Sequence, residues 1–161
     1  MRQISHINSR GEANMVDISH KVNSERSAIA RAYIGLTSTI VRSIVNDNFI
    51  KGDLYATARI AGIQAAKKCS ELIPLCHPLP VSKVSVEVKL EADSLIVTAE
   101  CKTMTNTGVE MEALTAASVA SLTLYDMCKG IDKGIVIRDI SLLEKRGGKS
   151  GDWISELYQD D

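Results

Sequence analysis

Alternation of apolar and polar residues is clearest between residues 83 and 102. Valines and a leucine occupy every second position up to Leu90, the chain turns at 92–94, and a second alternating run begins at Leu95. Successive side chains of a strand point to opposite faces, so a period of two gathers the apolar ones on one face. The pattern predicts a β-hairpin with one buried and one wetter face.

Weaker patterns indicate the remaining elements. Alanine and isoleucine alternate over 28–34, which suits a strand, although alanines suit a helix equally well. The β-branched run 134–143 is typical of a late strand. Helices are predicted over 37–46, over 53–68 and over about 111–129.

The mixed order of helices and strands, together with an antiparallel hairpin, favours an α+β fold with helices on one face of a sheet. The third predicted helix has apolar residues on all sides and no continuous polar face. In a small domain with one sheet, such coverage suggests that a second subunit supplies part of the cover. We therefore expect an oligomer.

Composition narrows the class of protein. The 161 residues suffice for one compact domain with a real core, and we expect a single domain over 1–161. With 19 basic and 20 acidic residues the net charge is −1, so electrostatic attraction to nucleic acid or to a membrane surface is not expected. The absence of a signal-like or membrane-spanning run and of any CxxC pair predicts a cytoplasmic protein with free thiols.

Two loops carry candidate chemistry before the long helix. In Lys51-Gly52-Asp53 a lysine precedes a helix N-terminus capped by Asp53, where free N–H groups and the helix dipole attract anions. The alternative is a solvated lysine at a turn. The loop 72–80 contains three prolines and no charge, and it presents Cys76 and His77 rigidly. This suits a preorganised site, whereas a hydrogen-bonded structural histidine is the alternative.

The long helix carries charges on an apolar background. Glu112 and Asp126 fall within about 40° of one helix face, and Lys129 is the neighbour of Asp126. Such charges are costly unless paired or functional, which favours a functional site. Glu112 and Asp126 are, however, roughly 21 Å apart along the axis. Either the ligand is long or two subunits share the pocket, and the geometry favours the shared pocket.

Two further polar stretches are less decisive. Glu110 would diverge from Glu112 in a helix and would share a face with it in an extended chain. The basic, glycine-rich segment 145–152 lacks the first glycine of a phosphate-binding P-loop, because Leu143 stands there. A loop that closes on phosphates and a frayed, solvated tail are its two interpretations. No cluster of carboxylates or histidines requires a metal.

Long stretches of the chain resemble a known family. They are KGDLYATARIAGIQAAKKCSELIPLCHPL, TGVEMEALTAASVASLTLYDMCKGIDKG and LLEKRGGKSGDW, with HINSRGEANMVDIS at the N-terminal end. Over nearly the whole chain these resemble the cyclic pyranopterin monophosphate synthases, the molybdenum cofactor biosynthesis protein C family. The resemblance implies a ferredoxin-like antiparallel sheet with helices packed on one face. It also implies dimers assembled into a homohexamer, with active sites at the dimer interface.

The resemblance implies a lyase reaction on a small molecule. The substrate would be (8S)-3′,8-cyclo-7,8-dihydroguanosine 5′-triphosphate, rearranged to cyclic pyranopterin monophosphate with release of pyrophosphate. No tightly bound cofactor is implied, and Mg²⁺ would be present only with the substrate phosphates. The alternative is a non-catalytic oligomeric module that binds a nucleotide or pterin.

Motif by motif, the resemblance also implies roles for individual residues. Asp126 and Lys129 would be the acid–base pair for ring opening and rearrangement, and Lys51, the third catalytic residue, would bind the phosphates and stabilise the departing pyrophosphate. The substrate-binding residues would be Arg26, Leu75, Cys76, His77, Glu110, Met111, Glu112 and Lys149. Among these, His77, Lys149 and Arg26 would bind phosphates, and Glu110 or Glu112 would pair with the guanidine-like edge of the base. One departure is Asn106, where the family pattern would place a lysine, so no phosphate contact is expected there.

Overall fold

A computed structural model describes residues 6–46 and 53–158 of the chain. Strands and helices follow one another in the order β1 (Ser24–Gly35), α1 (Ser38–Val45), α2 (Leu54–Lys67), α3 (Cys69–Leu72), β2 (Val81–Glu91), β3 (Ser94–Thr105), α4 (Glu110–Cys128), β4 (Val136–Arg146) and β5 (Trp153–Ile154). A 3₁₀ turn over Glu156–Tyr158 follows. None of the described helices has the length and apolarity to cross a membrane.

The five strands form one antiparallel sheet in the order β2-β3-β1-β4-β5. Helices α2 and α4 pack against each other, and α4 also contacts β1, β3 and β4 on one face of the sheet. Strands β1 to β4 and the intervening helices have the connectivity of the ferredoxin-like fold. The predicted α+β class and ferredoxin-like sheet are confirmed.

The predicted hairpin is present as β2 and β3, with Val86 paired to Ala99 and Leu90 to Leu95. The alternation has its expected effect, because Val86, Leu95 and Ala99 are buried against the helices. Ala92 adopts a left-handed φ of 51° at the tight turn. The alternating pattern therefore fixed both the pairing and the face of the sheet that is buried.

The alanine-rich run 28–34 forms a strand and not a helix. It lies at the centre of the sheet, with β3 on one side and β4 on the other, and its alternating alanines are fully buried. Small side chains here let α4 approach closely, since Ala113, Ala116 and Ala120 on the facing helix are equally small and buried. Tertiary pairing thus overrides the helical propensity of alanine.

Helix α4 is only partly covered within a single chain. A stripe at helical spacing remains half-buried or exposed, and Leu122 in it is 59% exposed. We call this stripe the α4 stripe; it consists of Met111, Leu114, Ser118, Leu122 and Tyr125. The prediction that a second subunit completes the cover stays a prediction.

Candidate functional site

A first cavity of about 360 Å³ lies between the N-terminal segment, the loop 72–80 and the start of α4. Its wall includes Val16, Ile18 and Lys21 from the N-terminal segment. Six of the eight predicted substrate-binding residues also line it, namely Leu75, Cys76, His77, Glu110, Met111 and Glu112. The structure therefore brings together residues from two sequence motifs that lie more than thirty positions apart.

Glu112 is the most buried charged group of this cavity, with 3% of its surface exposed. Burial raises the pKa of its carboxyl group, and the nearby Glu110 raises it further, while a hydrogen bond with the Cys69 thiol lowers it. Thr115, one turn further along the helix, lies 3.5 Å from the Cys69 sulfur through its Oγ1. A desolvated carboxylate that faces a cavity has room for hydrogen-bond donors of a ligand.

Glu110 and Glu112 both line the cavity although both belong to α4. The expectation that a helix would make them diverge is wrong here. The reason is local, since Glu110 folds back over Gly108, where any Cβ would collide with its carboxylate. Because Gly108 has no side chain, Glu110 at the first position of α4 can turn toward the cavity that Glu112 lines.

Hydrogen bonds fix the loop 72–80 both internally and to the N-terminal segment. Within the loop, the Cys76 N–H donates to the Ile73 carbonyl at 3.0 Å. The His77 ring is joined through Nε2 to the Val16 carbonyl at 2.8 Å, so this nitrogen carries the proton. His77 therefore fits the structural alternative as a hydrogen-bonding residue, and its ring also lines the cavity. Burial raises the pKa of the Cys76 thiol, which faces the same space.

A second cavity of about 660 Å³ adjoins the first and is basic. It contains the other two predicted binding residues, Arg26 and Lys149, together with Lys21 and His20. Lys21 lines both cavities, so the two spaces meet at this side chain. Its position gives the combined site one end with two carboxylates, Glu110 and Glu112, and one basic end.

The segment after β4 is an ordered loop. The Gly147 N–H donates to Asp152 Oδ1 at 2.9 Å, and the Gly151 N–H donates to the Gly148 carbonyl at 3.1 Å. The chain then pairs again with β4 through Trp153. The interpretation as a frayed tail is therefore wrong.

Gly148 brings the backbone of this loop close to the Arg26 side chain. Gly148 has a left-handed φ of 81°, and a Cβ there would collide with the Arg26 guanidinium. Arg26 is fixed from the other side, because its Nε donates to the Thr105 carbonyl at 3.1 Å. The loop backbone thus lies directly against one of the basic side chains of the second cavity.

Asp126 and Lys129 form the expected pair at the other end of α4. Their Oδ1 and Nζ atoms are 2.6 Å apart, and this hydrogen bond raises the pKa of Lys129. Both side chains are largely exposed in this chain, so the argument from the cost of burying them does not apply. Neither residue is among those that line the two cavities, because α4 separates Asp126 from Glu112 by roughly 21 Å along its axis.

The remaining predicted residue, Lys51, lies outside the described residues. The predicted helix cap two positions later is confirmed. Asp53 is the N-cap of α2, and its Oδ1 accepts from the Ala56 N–H at 2.9 Å. Across 6–46 and 53–158, no three histidine, cysteine, aspartate or glutamate side chains group in a way that could hold a metal ion.

Sequence reasoning missed Val16, Ile18 and Lys21. Their segment has no periodic pattern, and the described part of it pairs only through a bridge between Ile7 and Ala13. Apart from its share in the family resemblance, no signal in the segment predicted that it covers a cavity.

The geometry agrees with a comparison against protein-family models. Residues 15–148 match the model described as the MoaC family. The matched range begins in the N-terminal segment beside the first cavity and ends at Gly148 beside Arg26, so it includes most of the residues that line the two cavities but neither His6 nor Lys149. Since the match covers most of the 161 residues, the chain belongs to the MoaC family, an enzyme family of molybdenum cofactor biosynthesis.

Proposed function

We propose that this protein is a cyclic pyranopterin monophosphate synthase. Its substrate would be (8S)-3′,8-cyclo-7,8-dihydroguanosine 5′-triphosphate, and its products cyclic pyranopterin monophosphate and pyrophosphate. The observation that carries the proposal is the pair of adjoining cavities that share Lys21, one with the carboxylates of Glu110 and Glu112 in its wall, the other basic. The substrate has the same polarity, with a guanine-derived base at one end and a triphosphate at the other.

In this proposal the base occupies the first cavity. The guanidine-like edge of the base presents N–H donors, and Glu112 and Glu110 supply carboxylate acceptors on one wall. Hydrogen bonds to a carboxylate are stronger than neutral ones, and exclusion of water around the buried Glu112 increases their strength. Leu75 and Met111 provide apolar contact for the ring.

The triphosphate would occupy the second cavity. Lys21, Arg26 and Lys149 offer three positive charges there. The family resemblance implies Lys51, which lies outside the described residues, as a further phosphate-binding residue. A hydroxyl of the sugar gives its proton to the acid–base pair and attacks the α-phosphorus, the bond to the bridging oxygen breaks, and pyrophosphate leaves with the negative charge. Fixed cations beside the leaving group stabilise that charge as it develops. Mg²⁺ would enter only as a counter-ion of the substrate phosphates.

Asp126 and Lys129 would move the protons of the rearrangement. They cannot reach a base beside Glu112 of their own chain, because the rigid α4 keeps the two ends apart. The α4 stripe is apolar except for Ser118 and runs from Met111, at the first cavity, to Tyr125, next to Asp126. Two chains packed antiparallel along this stripe would bring Asp126 of the partner subunit toward Glu112. We therefore propose a homodimer with shared sites. That such dimers assemble into a cytoplasmic hexamer, as a trimer of dimers, is proposed from the family resemblance alone.

A single-turnover assay with the cyclic dihydroguanosine triphosphate tests this function. Pyrophosphate and pterin are followed together in wild-type protein and in Asp126→Asn, which removes the proton-transfer group but keeps its shape. We expect both products from wild type and a loss of about 10²- to 10⁴-fold in Asp126→Asn, the usual range for a general acid or base. Asp139→Asn, an exposed change on β4, is the matched control.

The same assay separates the alternative function. A non-catalytic module that binds a nucleotide or pterin would bind the triphosphate without releasing pyrophosphate. In that case Asp126→Asn would leave binding unchanged and there would be no turnover to lose. Binding without turnover in the wild type would therefore overturn the synthase proposal.

A further inference from the structure

Two side chains from much later in the sequence hold the N-terminal segment beside the cavities. His77 binds the Val16 carbonyl through Nε2, and Asn106 Nδ2 donates to the Ile18 carbonyl at 2.8 Å. These bonds join residues that are 61 and 88 positions apart. The described segment has no sheet partner of its own beyond the Ile7 bridge, so side chains hold it in place.

The Ile18 carbonyl is also the acceptor that fixes Lys21. The Lys21 N–H donates to it at 3.0 Å, which closes a turn over 18–21. Asp17 supports the same turn, since its Oδ1 accepts from the Ser19 N–H at 2.9 Å. One oxygen therefore accepts both from the Asn106 amide and from the backbone of the lysine that stands between the two cavities.

The turn that carries Asn106 is itself braced. Thr105 Oγ1 donates to the Thr107 carbonyl at 2.9 Å, and Arg26 Nε donates to the Thr105 carbonyl at 3.1 Å. Arg26 is the second basic residue of the basic cavity. The turn 105–107 thus makes two contacts. The Thr105 carbonyl binds Arg26, and the Asn106 amide binds the turn that carries Lys21.

We infer that Asn106 is a positioning residue, whose amide holds the turn 18–21 so that Lys21 stands where the two cavities meet and faces the phosphates of the ligand. This inference rests on the proposed function for the identity of the ligand. Asn106 bears no charge and touches the segment, not the cavity, so it acts through Lys21. A short neutral amide at this position has a role that a phosphate-binding lysine would not fill.

The anchoring is tested by limited trypsin digestion of the full chain. Trypsin cleaves after lysine, and cleavage after Lys21 requires the turn 18–21 to leave its place. In Asn106→Ala the rate of appearance of the fragment that starts at Val22, identified by mass spectrometry, should rise roughly 3- to 10-fold, the effect of one lost hydrogen bond. Asn106→Ser, whose hydroxyl is too short to reach the carbonyl, should behave alike. Asn14→Ala, at an exposed asparagine of the same segment, should cleave at the wild-type rate.

The positioning role is tested by the affinity for inorganic pyrophosphate, measured by calorimetry in a double-mutant cycle. Asn106→Ala should weaken binding roughly 3- to 10-fold in the wild-type background, as expected for one hydrogen bond. In the Lys21→Ala background the same change should have no further effect, because the two residues act through one contact. A merely structural role would weaken binding equally in both backgrounds and would overturn the inference.

The remaining outcomes are also decisive. Unchanged cleavage after Lys21 in both Asn106 variants would overturn the anchoring itself. Faster cleavage with unchanged pyrophosphate affinity would overturn the positioning of Lys21. Absence of pyrophosphate binding in the wild-type protein would remove the proposed anion site and the positioning role with it. Anchoring by Asn106 would then still be judged by the trypsin rates, so the two failures are distinguishable.

Discussion

The Cys69 thiol lies against the Glu112 carboxylate, and together with Thr115 it forms the buried support of the first cavity. Burial raises the pKa of Cys69 to about 12, so this thiol remains protonated and can donate. The carboxylate therefore accepts from this thiol and from its own backbone N–H, and it also lines the cavity. A ligand with N–H donors would complete its hydrogen bonds.

Removing the charge of Glu112 should change the pH dependence of the free energy of unfolding. Its pKa is raised in the folded protein, so the folded state binds a proton more readily than the unfolded state. Ionisation of Glu112 therefore lowers the free energy of unfolding progressively as the pH rises through the interval between the ordinary glutamate pKa of 4.5 in the unfolded chain and the raised pKa of the folded state. Above that interval the loss is constant. Glu112→Gln should lack this loss, which urea unfolding from pH 4 to 8 will measure.

The same variant should bind substrate worse. Loss of a charged acceptor for the guanidine-like edge should weaken substrate affinity by about 10- to 100-fold. Glu87→Gln, at an exposed position on β2, is the control for both measurements. A Glu112→Gln variant with wild-type affinity would contradict the placement of the base in the first cavity.

The loop glycines allow a paired test of the contact with Arg26. Gly148 and Gly151 both have left-handed φ values, of 81° and 70°, but only Gly148 lies against another residue. Each alanine substitution should lower the free energy of unfolding by about 1–2 kcal/mol, the cost of the left-handed conformation. Only Gly148→Ala should also weaken pyrophosphate binding, because its Cβ displaces the Arg26 guanidinium. Equal pyrophosphate affinity in the two variants would show that this contact does not matter for binding.

A mixing experiment tests whether two chains share a site. At substrate concentrations far below saturation, Glu112→Gln and Asp126→Asn each impair every site in a homodimer, the first through binding and the second through proton transfer. If Asp126 of the partner subunit serves the site of Glu112, a mixed dimer regains one site that is wild-type in both residues. Equal amounts, unfolded and refolded together, should recover about a quarter of the wild-type activity, as random pairing in a two-fold dimer requires. No recovery would place both residues in the same chain's site or outside the reaction.

Thiol labelling tests the wall of the first cavity. Cys69, Cys101 and Cys128 are buried, and burial raises the pKa of Cys101 as well to about 12. Cys76 is only half-buried, although burial raises its pKa too. Iodoacetamide should therefore modify Cys76 first, slowly at pH 7 and faster as the pH rises, because the thiolate is the reactive form. Peptide mass spectrometry identifies the site, and a substrate that fills the cavity should protect it.

Much of the fold follows from patterns that extend over many residues. The hairpin of β2 and β3 was predictable because its alternation persists, and α2 because Asp53 marks its start. The two-residue strand β5 was not, since no period can be read from so short an element. The choice between strand and helix for 28–34 depended on partners far along the chain.

The candidate site was predictable in its members but not in its arrangement. The residues of the loop 72–80 and of the start of α4 were named from motifs, and the structure places them around one cavity. Lys21 was missed because two side chains distant in sequence, His77 and Asn106, determine where its segment lies. That Glu110 and Glu112 line the same cavity was missed, because it depends on the space that Gly108 leaves for the Glu110 side chain.

The central position of β1 has a consequence for synthesis of the chain. Its neighbours β3 and β4 lie far along the sequence, so both edges of this alanine-rich strand stay open while the chain is made. The local hairpin of β2 and β3 forms without β1, whereas the last sheet contact waits for the residues up to Arg146. A chain that stops before β4 would keep one edge of β1 exposed to pairing with other chains. The C-terminal third of the sequence is thus needed to protect a strand near its beginning.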